Sequence, residues 1–221
     1  MSYLSTYIRC HQRLKGYIKG NRGIKFWDAW IRYLGGEGEY VRAGYQDPGC
    51  VKSTPECLSV LEIGCGNGKV CEKLVEECFC EVTGMDVIPE GMYDRSGYAY
   101  VSHDITERWP FEDGSFDWVL GFDVLEHIEK EDIEGVVGEI SRVGRNVIFS
   151  IPHRQARSPA PAGITSQNLH PLVRGREWWQ DLLERGMGRG FKWKDPLPLD
   201  EMDKGESVTL FVGERYVLSP V

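Results

Sequence analysis

The chain has 221 residues, 41% of them hydrophobic and 27% charged, which suits one α/β domain with an appended segment better than two full domains. A formal net charge of -8 argues against broad binding to nucleic acid, which needs a cationic surface, and no apolar run approaches the roughly 20 residues that span a bilayer. The seven cysteines are odd in number and contain no Cys-x-x-Cys pair, so free thiols are expected and a metal site of standard spacing is not.

The first 20 residues are dotted with Arg and Lys and lack a continuous apolar core. They read as neither a signal peptide nor an anchor, and the cytoplasm is the default location. Residues 3–18 carry Tyr3, Leu4, Tyr7, Ile8, Leu14, Tyr17 and Ile18 at roughly helical spacing. A second short helix is expected over 26–34, ended by Gly35-Gly36, and a loop then runs to about Glu56. The chain thus divides into an N-terminal helical extension and linker, residues 1–56, and a main domain, residues 57–221.

From Leu58 onward strands and helices alternate. Strands are expected over 58–63, 81–86, 98–102, 116–121 and 146–151, with a last one over 207–212. Helices are expected over 69–79, over 123–143 in two pieces, and over 176–185; 89–95 is a short helix or a turn. The stretch from His153 to Gly175 is a long connection. Such alternation implies parallel βαβ units, whose ligands sit beyond the carboxyl ends of the strands.

Those strand ends carry the chemistry. Val60-Leu61-Glu62-Ile63 runs into Gly64-Cys65-Gly66-Asn67-Gly68. Glycines at every second position let the backbone turn sharply and approach a ligand, and the next helix aims its N-terminal N–H groups there. The third glycine comes one residue too early for a dinucleotide fingerprint, and no Gly-Lys-Ser/Thr closes a Walker loop. Asp86 ends the next strand, about 20 residues on, where an acid accepts hydrogen bonds from ribose hydroxyls; the alternative is a helix cap or a solvated strand end. Asp104 follows the third strand, placed to read an exocyclic amine or simply to form a turn.

Together these pieces resemble the class I S-adenosylmethionine-dependent methyltransferases. The resemblance rests on VLEIGCGNG, VTGMD, HDI, the stretch Trp109 to Asp117, and Phe122-Asp123-Val124-Leu125-Glu126-His127, somewhat under half of the chain. It implies an α/β, Rossmann-like, doubly wound seven-stranded sheet with a reversed last strand, S-adenosyl-L-methionine as cofactor, and methyl transfer as the activity. It implies that Glu62, Gly64, Cys65 and Gly66 surround the methionine end. It also implies that Asp86 takes the ribose, that Asp104 and Ile105 flank the adenine, and that Phe122 lies beside the sulfonium. No Asn/Asp-Pro-Pro-aromatic motif follows the fourth strand and no Pro-Cys dipeptide occurs, so a small-molecule acceptor is expected over the nitrogens and cytosine carbons those motifs serve.

His127, His153 and His170 are the candidate bases, should the acceptor be a hydroxyl. The connection from 153 to 176 carries Arg154, Arg157, Arg174 and Arg176 and no carboxylate, which points to an anionic acceptor; pairing with surface carboxylates is the alternative. Trp178-Trp179 reads as core packing of an amphipathic helix. The N-terminal helices are a structural brace, part of the acceptor site, or the contact of a homodimer. A cofactor-binding but inactive partner subunit and a nicotinamide-dependent oxidoreductase are the competing functions.

Overall fold

Apolar residues in central parallel strands are covered on both faces, so they run almost without interruption. Strands β1 (Ser59–Ile63), β4 (Phe116–Phe122) and β5 (Gly144–Pro152) show this in the computed structural model: all of Val60–Ile63, 118–122 and 147–152 is buried. The structure describes residues 58–78, 81–153, 170–188, 190–194, 197–198 and 208–215. The expected N-terminal helices and linker, and residues 154–169 of the long connection, lie outside the described residues.

Helix α1 (Lys69–Cys78) links β1 to β2 (Glu81–Asp86), and β3 is Ala99–Ser102. A single turn of 3₁₀-helix at Leu125–His127 follows β4, and α2 (Ile133–Val143) feeds β5 directly. Helix α3 (Arg176–Met187) precedes β6 (Phe191–Trp193), β7 (Leu197–Pro198) and β8 (Val208–Arg215). The sheet order is β3-β2-β1-β4-β5-β8-β6, with β7 also paired to β8. Strands β1 to β5 are mutually parallel, and β8 runs antiparallel to β5, with Phe149 opposite Phe211. The path of seven strands with a reversed last one matches expectation; the two-residue β7 is an addition to it.

Side chains alternate between two cores, as the two-residue period of a strand requires. Leu61, Ile63, Val119, Val147, Phe149 and Phe211 face the side of α2 and α3, where Val137, Ile140, Trp179 and Leu183 meet them. Val60, Leu120, Ile148, Leu210 and Val212 face the side of α1, with Val70, Cys71 and Leu74. Trp179 is fully buried, so its core-packing role is observed. The helical stretch expected over 123–143 does break in two, at 128–132. Strand β5 starts two residues earlier than expected, because Gly144 leaves α2 in extended conformation and pairs at once with Phe116.

Candidate functional site

The turn after β1 is built from left-handed backbone. Gly64 has φ +62° and Gly68 φ +80°, conformations that cost an L side chain. Space forbids a side chain as well: a Cβ on Gly64 would lie 2.5 Å from Val124 Cγ2, and one on Gly68 would overlap the Tyr98 hydroxyl. The turn therefore packs without clearance against the segment after β4 and against the loop before β3.

Asp86 closes this turn from the neighbouring strand. Its Oδ2 accepts from the Gly66 N–H at 2.8 Å and its Oδ1 from the Ile88 N–H at 3.1 Å. The Cys65 N–H donates to the Met85 carbonyl at 3.2 Å, so β2 holds the turn at two successive residues. Asp86 is 2% exposed, and burial raises its pKa against the opposing pull of those N–H donors and of Arg95. Each carboxylate oxygen keeps a second acceptor direction, which leaves capacity for ribose hydroxyls.

Glu62 lies beneath the turn, fully enclosed, and accepts from Cys71 Sγ at 2.9 Å. Burial is the largest influence on it and lifts its pKa from 4.5 to about 8, with the nearby Asp86 adding to the rise. A carboxyl that holds its proton more tightly when folded makes stability fall as pH rises, here between 4.5 and about 8, with no further loss above. Glu62→Gln should remove that loss. The melting temperature of the wild type, relative to the variant, should decline steadily from pH 5 to pH 8. Parallel pH curves for the two proteins would show that Glu62 ionises normally.

Arg95 enters this site with no signal in the sequence to announce it. Its Nη2 donates to the Gly66 carbonyl at 2.7 Å, and its guanidinium stacks 3.5 Å over the Tyr100 ring. Its Nε and Nη1 are buried and have no hydrogen-bond partner among the described residues. Tyr100 in turn donates its hydroxyl to the Ile88 carbonyl. Orphaned donors beside a buried carboxylate and a glycine turn match a ligand rich in oxygen acceptors, such as a ribose or an amino-acid carboxylate. Further along the edge, Asp104 Oδ1 caps Thr106 through its N–H at 2.9 Å and its hydroxyl at 2.8 Å, the turn-forming use of an Asp. Ile105 is buried and its carbonyl accepts from Trp109 Nε1.

The carboxyl ends of β4 and β5 form the other half of the site. Phe122 is buried, and Asp123 after it has φ +55°, a strained corner for a non-glycine residue. The 3₁₀ turn then presents Glu126 and His127. The Leu172 N–H donates to the Glu126 carbonyl at 3.2 Å and pins the incoming segment, so His170 meets His127 edge to face with ring centroids 4.6 Å apart. His153 stands apart from that pair: its Nδ1 faces the Arg174 carbonyl at 3.3 Å and its Nε2 the Thr209 hydroxyl at 2.6 Å. In the neutral ring, an N–H at Nδ1 toward the carbonyl leaves Nε2 to accept from Thr209. Arg174 donates from Nη1 to the Val173 carbonyl and lies 5.6 Å over the Trp178 ring. Arg154 lies outside the described residues.

A family model described as a methyltransferase domain matches residues 61–147. The chain is 25% identical over 190 residues to ajmaline N-methyltransferase of Rauvolfia serpentina, covering 69% of this chain and 62% of that protein. It is 26% identical over 152 residues to the ubiquinone biosynthesis O-methyltransferase of Cronobacter sakazakii, covering 64% and 61%. It therefore spans less than two thirds of the length of these relatives. Among solved structures, a Haemonchus contortus phosphoethanolamine N-methyltransferase 2 superposes with a TM-score of 0.64 at 15% identity, over 97% of this chain and 61% of that one. That last likeness is one of fold. With the glycine turn, the acid closing it and the reversed β8 on one sheet edge, residues 61–147 form a methyltransferase domain of the S-adenosylmethionine-dependent kind, and the surrounding fold agrees with it.

Proposed function

We propose that the chain transfers the methyl group of S-adenosylmethionine to a small-molecule acceptor that carries an anionic or sugar-type portion. The observation that carries this is the Gly64–Gly68 turn clamped by Asp86, beside a second pocket edge lined with histidines. The two curated relatives, ajmaline N-methyltransferase and ubiquinone biosynthesis O-methyltransferase, support a small-molecule acceptor and leave the atom open.

In this reading the backbone of Gly64, Cys65 and Gly66, with Glu62 beneath them, holds the methionine end. Asp86 holds the ribose, Asp104 and Ile105 border the adenine, and Phe122 packs at the sulfonium. The sulfonium supplies its own leaving group, so the protein's work is to hold nucleophile and methyl in line and to keep water out. A hydroxyl acceptor gains from a base within reach, and His127 and His170 are the candidates that stand together. The hydrogen bonds of His153 to Arg174 and Thr209 suit it to holding the segment before α3. Arg174 and Arg154 bind the anionic portion.

The test is calorimetry with S-adenosylmethionine, S-adenosylhomocysteine and NAD, followed by a screen of metabolite fractions for label from methyl-labelled cofactor. Micromolar binding of the first two (about -8 kcal/mol), none of NAD, and label in a small molecule are expected. Binding of NAD alone would remove the reading. Once an acceptor is known, Arg174→Ala should raise its Michaelis constant about threefold to tenfold, the scale of a part-exposed charged contact. Cofactor affinity should stay unchanged and the salt dependence of turnover should flatten. An unchanged Michaelis constant at low ionic strength would exclude an anion clamp at Arg174.

A further inference from the structure

We infer that Glu126, His127 and His170 form a binding site for a divalent first-row transition-metal ion at the acceptor edge of the methyl-transfer site. One ligand atom from each lies within 4.8 Å of the others. The sequence hides the group, because His170 stands 43 residues beyond His127 and no spacing motif joins them. Two imidazoles and one carboxylate are a donor set that suits zinc, iron or nickel, and three protein ligands leave positions open for a substrate oxygen. Metal–ligand bonds of about 2.0–2.2 Å need these atoms closer together by roughly an ångström, within reach of side-chain rotation.

Three features make the cluster a built site. The Glu126 side chain is fully buried, and burial of a carboxylate favours a positive group in contact with it. The Glu126 Oε1 to His127 Nε2 distance of 3.8 Å places the two donors side by side on one 3₁₀ turn. The bond from the Leu172 N–H to the Glu126 carbonyl fixes the segment that brings His170 across. All three donors follow β4 or lead into α3, at the carboxyl edge where an acceptor meets the cofactor.

This inference rests on the methyl-transfer reading for its chemistry. With the ion bound, His127 and His170 serve as its ligands and not as bases: the ion lowers the pKa of an acceptor hydroxyl, whose proton passes to bulk solvent. An oxygen lone pair then forms the new C–O bond as the methyl C–S bond breaks, and that bonding pair leaves with sulfur in S-adenosylhomocysteine. An oxygen acceptor is thus favoured over a nitrogen one.

The test uses the full chain and zinc alone. After equilibration with buffered zinc and removal of free metal, elemental analysis should find about one zinc per chain, with binding measurable by competition calorimetry. His170→Ala and His127→Ala should each weaken zinc binding at least tenfold, with S-adenosylmethionine affinity and circular dichroism unchanged. Glu126→Gln should do the same, and if it fails to fold the two histidine variants decide. Zinc bound equally by wild type and both histidine variants, or not bound by wild type, overturns the site. A wild type that binds S-adenosylmethionine but no zinc sinks the metal site alone. One that binds zinc but no S-adenosylmethionine leaves the site standing and removes the methyl-transfer reading.

Discussion

Gly64→Ala should lose measurable S-adenosylmethionine binding and destabilise the fold by about 2–5 kcal/mol. Two costs combine. The left-handed backbone at φ +62° costs a residue with a Cβ about 1–2 kcal/mol. The new Cβ would sit 2.5 Å from Val124 Cγ2 and 2.9 Å from Val124 Cβ, an overlap whose relief costs about 1–3 kcal/mol. The second obstacle is the main body of a branched, buried side chain rather than a flexible tip, so it cannot swing aside.

The two costs separate experimentally. Val124→Ala in the Gly64→Ala background removes the overlap and leaves the backbone strain. The double variant should therefore recover part of the lost stability, and the two substitutions should be non-additive by about 1 kcal/mol or more in urea unfolding. Equal unfolding midpoints for Gly64→Ala and wild type would mean that the turn tolerates a side chain. Val124 also opens the segment leading to Glu126 and His127, so the same contact ties the cofactor turn to the acceptor edge.

Much of the sheet was legible because buried parallel strands are continuous apolar runs bounded by glycine, proline or charge. That describes β1, β4 and β5 well. Strands β6 and β7 were missed, and for a physical reason: they have three and two residues, too short for a period, and exist through their pairing with β8. The C-terminal extension of β8 to Arg215 is likewise set by its partner, since Glu214 pairs with both Asn146 and Lys192.

The glycine turn and its clamp were legible from local spacing, since the turn and Asp86 lie at successive strand ends. What they do to one another was not. Glu62 against Cys71, and Arg95 against Gly66 and Tyr100, are contacts across elements that no pattern in the chain records. On the other half of the site, the sequence separates the three histidines and shows no relation among them. The structure joins His127 to His170 through Glu126 and turns His153 away toward Thr209 and Arg174, a sorting that needs the segment from His170 to Arg174 in place. The arginines lack a comparable outcome, since only Arg174 and Arg176 of the four fall among the described residues.

Asp86→Asn should be almost as damaging as Asp86→Ala, although it preserves shape. The carboxylate receives two N–H donors, from Gly66 at 2.8 Å and Ile88 at 3.1 Å, one on each oxygen. An Asn side chain has one acceptor oxygen, so its amide nitrogen must face the other N–H, donor against donor. The substitution also removes the negative charge that acts on half-buried Arg95. Hydrogen bonds to a charged group contribute about 1.5–3 kcal/mol, and a donor left facing a donor costs on the same scale. Both variants should therefore lose about 1.5–3 kcal/mol of stability, within about 1 kcal/mol of each other. S-adenosylmethionine affinity should drop at least tenfold in each, because the Gly66 backbone loses its brace along with any bond from Asp86 to the ribose. Denaturant unfolding and calorimetry on the same preparations give both numbers. If Asp86→Asn binds the cofactor as tightly as wild type, Asp86 is a strand-end residue and the clamp on the glycine turn lies elsewhere.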